Sequence, residues 1–96
     1  MIDLETATRL VQNELDNLPY QGRRAILLVK EYPCGWVFYW DSAEYVATKD
    51  PSLASGGNVP YLVIRFDGAM YSLGPIRGRY DPNRYPEGLE TLLRVN

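Results

Sequence analysis

The first apolar pattern along the chain is helical and covers residues 3–18. Apolar side chains recur there at spacings of three and four, at Leu4, Ala7, Leu10, Val11, Leu15 and Leu18. Asp3 is suited to cap the amino end, and Glu5 lies where the helix dipole favours a negative charge. Pro19 follows the last apolar position. The pattern predicts an amphipathic helix with one stripe packed on a core.

Four apolar runs of strand composition come next. They are Ala25–Tyr32, Trp36–Trp40, Tyr61–Phe66 and Ala69–Leu73. Pro33-Cys34-Gly35 marks a turn between the first two, and Asp67-Gly68 is a two-residue signal for a type I′ hairpin between the last two. Because successive strands with short links favour antiparallel pairing, we expect a mainly antiparallel, four-stranded sheet.

The remaining segments are connections and a closing helix. Residues 41–50 are ambiguous, because Asp41-Ser42 suits the start of a short helical turn but the strand can also continue. Residues 51–60 are rich in Gly, Pro and Ser and predict a loop, and residues 75–86 form a long connection. Residues 87–95 predict a short helix with Leu89, Leu92 and Leu93 on one face, weakened by Gly88.

These elements predict one α+β domain over residues 1–96, in the order α-β-β-β-β-α. Helices near the two chain ends are expected to cover one face of the sheet. On the second strand, Trp36, Phe38 and Trp40 share one face, and Val37 and Tyr39 share the other. We expect Trp36 in the core, with Trp40 and Tyr45 partly exposed because acids and loop residues surround them.

Composition narrows the classes of function. The chain has 46% hydrophobic and 23% charged residues and a net charge of −2, which is ordinary for a globular protein and disfavours nucleic acid as a partner. It has no histidine and one cysteine, which excludes Ser-His-Asp and Cys-His catalysis, intrachain disulfides and Cys-rich zinc sites. An acidic amino end and the lack of a long apolar run predict a cytoplasmic protein without a membrane partner.

The middle of the chain carries a series of motifs in a fixed order. They are Gly35-Trp36-Val37-Phe38-Tyr39, Ser42-Ala43-Glu44-Tyr45-Val46-Ala47-Thr48-Lys49-Asp50, Leu53-Ala54, Gly57-Asn58-Val59-Pro60 and Ser72-Leu73-Gly74. Over residues 35–74 this order resembles the YrhB-domain family, also called the immunity protein 35 family. Lys49 stands where the pattern of that family has Gly, and residues 75–86 are longer than its usual link to the last helix.

The resemblance implies a function in bacterial polymorphic toxin systems. Members of that family are predicted to be cytoplasmic antidotes that bind and block a toxin domain. The implied function is therefore an immunity protein that neutralises its cognate toxin by direct stoichiometric binding. The implied protein is not an enzyme. We also expect no cofactor, no metal and a monomer or a weak homodimer.

Several residues are candidates for a chemical role. Cys34 lacks a histidine to activate it and is better explained as a turn residue. Asp41 and Glu44 are three apart and would share a face of a helical turn, as a cation-binding or acid–base pair or as solvated capping charges. Gly56-Gly57-Asn58 lacks the flanking pattern of a phosphate loop and predicts a glycine turn.

One cluster within the long connection combines basic and aromatic residues, namely Arg77, Arg79, Arg84, Tyr80 and Tyr85. Its arginines and tyrosines suit a protein-binding hot spot, contacts to nucleic-acid bases or phosphates, or a solvated loop packed on the sheet edge. The predicted toxin-binding residues are Trp40, Asp41, Glu44, Tyr45, Asp50, Arg77, Arg79, Tyr80 and Arg84. The alternative function is a small-molecule or peptide-binding, chaperone-like module. It would bind its ligand with the same apolar sheet face that the immunity protein would use for its toxin.

Overall fold

A computed structural model of the chain describes residues 1–19, 22–55, 58–74 and 80–96. The first helix, α1, spans Leu4–Asp16. Asp3 caps it as predicted, because its carboxylate accepts a hydrogen bond from the Thr6 backbone N–H at 2.8 Å. The buried stripe consists of Ala7, Val11 and Leu15. The predicted helix is confirmed, but it ends at Asp16 rather than at residue 18, and Leu4 is 46% exposed rather than part of the buried stripe.

Within these described residues the sheet has five antiparallel strands, in the spatial order β1-β2-β3-β4-β5. Their bounds are Arg24–Tyr32 for β1, Gly35–Ser42 for β2, Tyr61–Ile64 for β3, Met70–Ser72 for β4 and Leu93–Arg94 for β5. The α+β class and the four predicted antiparallel strands are confirmed, and the fifth strand was not predicted. Gly35 allows β2 to approach β3 closely, because a side chain at this position would collide with the Val63 carbonyl oxygen.

Two apolar clusters lie on opposite faces of this sheet. The α1 face consists of Ala7, Val11, Leu15, Trp36, Phe38, Trp40, Tyr61, Val63 and Met70. The tyrosine face has a buried base of Val37, Leu62, Ile64, Ala69 and Leu73, against which Tyr32, Cys34, Tyr39, Tyr71, Tyr80, Leu89 and Leu92 pack. The predicted division of the β2 side chains between two faces is therefore confirmed.

A second helix, α2, spans Ala43–Thr48. Residues 41–50, for which the sequence allowed a strand or a helical turn, therefore contain both. The strand continues to Ser42, whose hydroxyl then caps the helix by accepting a hydrogen bond from the Tyr45 N–H at 3.1 Å. The helix ends at Lys49, which has a φ of 60°. That left-handed conformation is rare for a residue with a side chain and is the one glycine adopts at helix ends.

The connection between β3 and β4 is longer than the predicted two-residue turn. The Gly68 N–H donates to the Ile64 carbonyl at 2.8 Å, so the turn spans five residues from Ile64 to Gly68. Gly68 has a φ of 76°, but Asp67 does not have the positive φ that a type I′ turn requires at both central positions. The hairpin is confirmed, and its predicted type is wrong.

The predicted C-terminal helix over residues 87–95 is wrong. A 3-10 turn spans Leu89–Thr91, and the chain then pairs with β4 as the short strand β5. The free edge of β4 explains this outcome, because unpaired backbone groups favour an added strand over a helix. The Asn96 side chain completes the edge, accepting from the Met70 N–H and donating to the Gly68 carbonyl, both at 2.9 Å.

The C-terminal segment also lies on a different face from the one predicted. Leu89 and Leu92 pack on the tyrosine face, opposite α1, while Leu93 is 70% exposed. The helix α1 and the segment with Leu89 and Leu92 therefore cover opposite faces, which gives three layers rather than the predicted two. This arrangement buries an apolar cluster on both sides of β2 and β3.

Candidate functional site

The predicted site residues that the structure describes fall into two groups on the sheet. Residues 40–50 surround the carboxyl end of β2, where α2 begins. The second group lies toward the amino end of β2, since the Cys34 thiol donates to the Pro82 carbonyl at 3.4 Å. An eight-residue strand is about 24 Å long, so the two groups do not form one compact site. Arg77 and Arg79, also predicted here, lie outside the described residues.

Trp40 belongs to the core, so the expected partial exposure is wrong. It is only 9% exposed, and its indole N–H donates to the Val59 carbonyl at 2.6 Å. The indole lies on the α1 face together with Trp36 and Phe38, which follows from its position in the alternation of β2. Trp40 therefore joins the core to the segment that precedes β3.

Asp41 organises the loop instead of facing a partner. The residue is 8% exposed, and its Oδ1 accepts from the Ser42 N–H at 2.7 Å and from the Ser55 N–H at 2.8 Å. Burial alone raises the pKa of Asp41, but the hydrogen bonds from Ser55 and Ser42 outweigh it and hold the pKa below its ordinary value. Since Asp41 lies in β2 and Glu44 in α2, the two carboxylates do not share a helix face.

Glu44, Tyr45 and Asp50 form what we call the α2 surface. Glu44 and Asp50 are exposed, and Tyr45 is half-buried, which agrees with the expected partial exposure of Tyr45. The Asp50 carboxylate starts the following 3-10 turn by accepting from the Ser52 N–H at 3.0 Å. Within the part of the chain that the structure describes, Glu44 makes no ion pair, so its charge is available to a partner.

In the second group, Arg84 is engaged in an ion pair. Its Nη2 donates to both carboxylate oxygens of Glu87, at 2.8 and 3.0 Å, on the protein surface. Tyr80 packs on the tyrosine face, and its hydroxyl is the one buried side-chain oxygen or nitrogen among the described residues without a hydrogen-bond partner. Burial raises the pKa of Tyr80 to about 12, with smaller contributions from Cys34 and Tyr85.

A cleft of about 440 Å³ lies between the two groups, open to solvent on one side. We call it the tyrosine cleft, and its lining consists of Tyr32, Val37, Tyr39, Asn58, Pro60, Leu73, Tyr80 and Pro82. Its volume lies in the range of ligand-binding sites in proteins. Of these residues only Tyr80 was predicted as a site residue. The sequence could also have pointed to Val37 and Tyr39. They share one face of the predicted second strand, and the predicted turn at Pro33-Cys34-Gly35 separates them from Tyr32.

Cys34 lies beside the cleft and is half-buried. Burial raises the pKa of its thiol, which disfavours the thiolate that a nucleophile requires. The thiol instead donates to the Pro82 carbonyl, which anchors the C-terminal segment to the β1–β2 turn. These contacts fit the interpretation of Cys34 as a structural turn residue.

Comparisons with known proteins do not identify this chain. No family model, no curated protein and no solved structure matches it. The resemblance to the immunity protein 35 family therefore stays a prediction from the motifs. Among residues 1–19, 22–55, 58–74 and 80–96, no three Cys, Asp or Glu side chains are grouped as metal ligands, and none of the helices has the length and apolar character of a membrane span.

Proposed function

We propose that this protein is a cytoplasmic immunity protein that neutralises a cognate bacterial toxin domain by stoichiometric binding. The proposal joins the ordered motifs of residues 35–74 to one structural observation. That observation is the hydrogen-bonded α2 surface, where Glu44 is exposed and makes no ion pair among the described residues. A protein that inhibits by binding needs such a surface and no reacting group of its own.

Four hydrogen bonds hold the segment around the α2 surface in place. Asp41 accepts from the Ser55 N–H, and the Ser42 hydroxyl donates to the Leu53 carbonyl at 2.7 Å. The Trp40 indole donates to Val59, and the Asn58 amide donates to the Trp40 carbonyl at 3.1 Å. Because these bonds fix the described residues on both sides of α2, binding a partner there costs little conformational entropy, which favours tight association.

The charges of the α2 surface favour a basic partner. The preference is weaker than it would be if Asp41, Glu44 and Asp50 were all exposed. The Asp41 carboxylate is buried and accepts hydrogen bonds within the protein. The exposed carboxylates are therefore those of Glu44 and Asp50. Lys49 lies between them, and its ammonium donates to the Val46 carbonyl at 2.8 Å. The remaining net negative charge suits the basic substrate groove of a toxin that acts on nucleic acid.

The conformation of Lys49 gives the motif resemblance a physical basis. The family pattern has Gly at this position, and Lys49 adopts the left-handed conformation that favours glycine. Thr48 and Asp50 keep the flanking residues of the pattern, so the backbone of this chain is compatible with the family motif despite the substitution.

Isothermal titration calorimetry tests the proposal most directly. The titrant is the toxin-like domain encoded beside this protein, carrying a disabled active site. We expect a one-to-one complex of nanomolar or tighter affinity, and the absence of both binding heat and co-elution would contradict the pairing. Sedimentation of the protein alone tests the expected monomer or weak homodimer.

Charge reversal then locates the contact. We expect Glu44→Lys to slow association with the toxin domain about three- to tenfold, since a charge at the rim of an interface acts mainly on the association rate. Glu90→Lys is the matched control, because Glu90 is also exposed but lies away from the α2 surface. Equal association rates for the two variants would remove the α2 surface from the interface.

A second candidate function is a binding module for peptides or small molecules. The tyrosine cleft favours it, because its volume of about 440 Å³ lies in the range of ligand sites and three tyrosines are among its lining residues. Specificity separates the two candidates. An immunity protein binds one toxin and ignores related toxins, whereas a peptide-binding module binds many proteins that display its ligand.

A further inference from the structure

An exposed leucine lies beside the α2 surface. Leu53 ends the 3-10 turn Pro51–Leu53 and is 42% exposed. Two hydrogen bonds hold its backbone. Its N–H donates to the Asp50 carbonyl at 2.9 Å, and its carbonyl accepts from the Ser42 hydroxyl at 2.7 Å. Leu53 therefore combines a fixed backbone with an apolar side chain that is open to solvent.

One hydroxyl joins this turn to α2. The Ser42 Oγ accepts from the Tyr45 N–H at 3.1 Å, at the start of α2, and donates to the Leu53 carbonyl. At the other end of the turn, the Asp50 carboxylate accepts from the N–H and from the hydroxyl of Ser52, at 3.0 and 2.9 Å. The α2 surface and Leu53 are therefore parts of one hydrogen-bonded unit.

This unit contributes little to the core. None of the residues of α2 or of the 3-10 turn is buried, and Leu53 belongs to neither of the two apolar clusters of the described residues. Two larger exposures of apolar side chains, at Phe66 and Leu93, lie in the β3–β4 turn and on β5, apart from the α2 surface. Leu53 is thus the exposed leucine that shares a unit with the exposed carboxylates of Glu44 and Asp50.

A negative charge lies beside this leucine. Asp50 and Leu53 are three positions apart, and a 3-10 turn has about three residues per turn, so their side chains project on the same side. The hydrogen bonds from Ser52 hold the pKa of Asp50 below its ordinary value of 3.8, so this carboxylate is charged at neutral pH. A protein that covers Leu53 therefore also meets the charge of Asp50.

We propose that Leu53 is the apolar anchor of the toxin contact and enters an apolar pocket of the toxin domain that a lysine or arginine borders. The inference deepens the proposed immunity function and rests on it. The pocket removes the leucine from water, and the neighbouring cation pairs with the Asp50 carboxylate. The exposed charge of Glu44 then acts mainly on the association rate, and the covered leucine acts mainly on the dissociation rate.

Surface plasmon resonance with the inactivated toxin domain tests this division. We expect Leu53→Ala to raise the dissociation rate about five- to twentyfold, because the variant loses part of the apolar area that binding covers. Its association rate should change less than about twofold, since every charge of the surface is kept. Leu93→Ala is the matched control, because Leu93 is 70% exposed on β5, at the sheet edge opposite β1, whereas α2 lies against β1 and β2.

Two further variants separate apolar contact from a general disturbance of the turn. Leu53→Met keeps an apolar side chain of similar volume, and its dissociation rate should stay within about threefold of the wild-type value. Leu53→Asp places a charge in the apolar pocket and should exceed the effect of Leu53→Ala. Circular dichroism of each variant confirms that it is folded. Equal dissociation rates for the Met, Ala and Asp variants would contradict an apolar pocket.

The possible results distinguish the anchor from the immunity function itself. If the wild-type protein does not bind the toxin domain, both are wrong. If it binds and Leu53→Ala dissociates no faster than Leu93→Ala, the anchor alone is wrong. Sedimentation of the protein without the toxin domain covers the remaining occupant, a second copy of this chain. Self-association that Leu53→Ala abolishes would assign the leucine to a homodimer and overturn the inference.

Discussion

The two faces of the sheet differ in what covers them and in how completely. On the α1 face, Trp36 and Phe38 are 3% and 0% exposed beneath a regular helix. On the tyrosine face, Tyr39 is half-buried and borders an open cleft, under a segment of 3-10 turns. Alternate residues of β2 therefore differ in how completely other parts of the protein cover them. The α1 face is closed over its core residues, whereas the tyrosine face has a buried base and an open cleft above it.

The largest expected effect separates neighbouring residues of β2. Phe38→Ala should lower the free energy of unfolding by about 3–5 kcal/mol, since it leaves a cavity in a fully buried site. Tyr39→Ala should cost only about 1–2 kcal/mol, because that ring is already partly in solvent. Urea denaturation measures both values. Equal losses would show that the two faces contribute alike to stability.

The second prediction concerns the loop that follows β2. Asp41→Ala should lower the free energy of unfolding by about 1–3 kcal/mol, because the Ser42 and Ser55 N–H groups lose their acceptor. Glu44→Ala is the control, since this carboxylate is exposed and should change stability by less than about 0.5 kcal/mol. Similar losses in urea denaturation would contradict a stabilising role for the hydrogen bonds that Asp41 accepts.

The same carboxylate predicts a dependence on pH. The folded-state pKa of Asp41 is lower than its ordinary value of 3.8, so its contribution to stability is complete above that pH and is lost as pH falls through the folded pKa. The hydrogen bonds from Thr6 to Asp3 and from Ser52 to Asp50 lower those pKa values as well. Asp41→Asn isolates the effect, because the wild-type advantage over it should shrink only in the acid range.

A third, smaller effect has the opposite sign. Tyr80→Phe should raise the free energy of unfolding by about 1 kcal/mol, because it removes a buried hydroxyl that has no partner among the described residues. Tyr85→Phe provides the comparison, since Tyr85 is 38% exposed and should change stability by less than about 0.5 kcal/mol. Destabilisation of Tyr80→Phe in thermal denaturation would mean that this hydroxyl is satisfied in solution.

The smallest prediction concerns the end of α2. Lys49→Gly should stabilise the protein by up to about 1 kcal/mol, because Lys49 has a φ of 60° and glycine adopts this conformation without strain. Thr48→Gly is the control inside the helix and should destabilise by a similar amount. Thermal denaturation distinguishes the two signs, and a loss of stability in both variants would contradict the strain argument.

Local patterns in the sequence predicted much of the fold. The spacing of Ala7, Val11 and Leu15 predicted α1, and the alternation of Trp36 and Val37 predicted the two faces of β2. The C-terminal segment was not predictable in the same way. Its leucines have helical spacing, but the free edge of β4, which forms only in the folded chain, determines that the segment is a strand.

The candidate site was less predictable than the fold. Residue type suggested that Trp40 and Asp41 face a partner, but their hydrogen bonds to Val59 and Ser55 depend on a loop whose path the sequence does not give. The tyrosine cleft joins residues from the β1–β2 hairpin, the segment before β3 and the C-terminal segment. Such long-range proximity has no local signal in a single sequence.

Amide hydrogen exchange of the protein, alone and bound to the inactivated toxin domain, tests the central claim that the toxin domain binds the α2 surface. The account predicts slower exchange in the complex over residues 43–53, which carry the α2 surface, and unchanged exchange over residues 4–16 of α1. Slowed exchange confined to α1 would contradict the account, because it would place the toxin on the helix whose inner side serves the core.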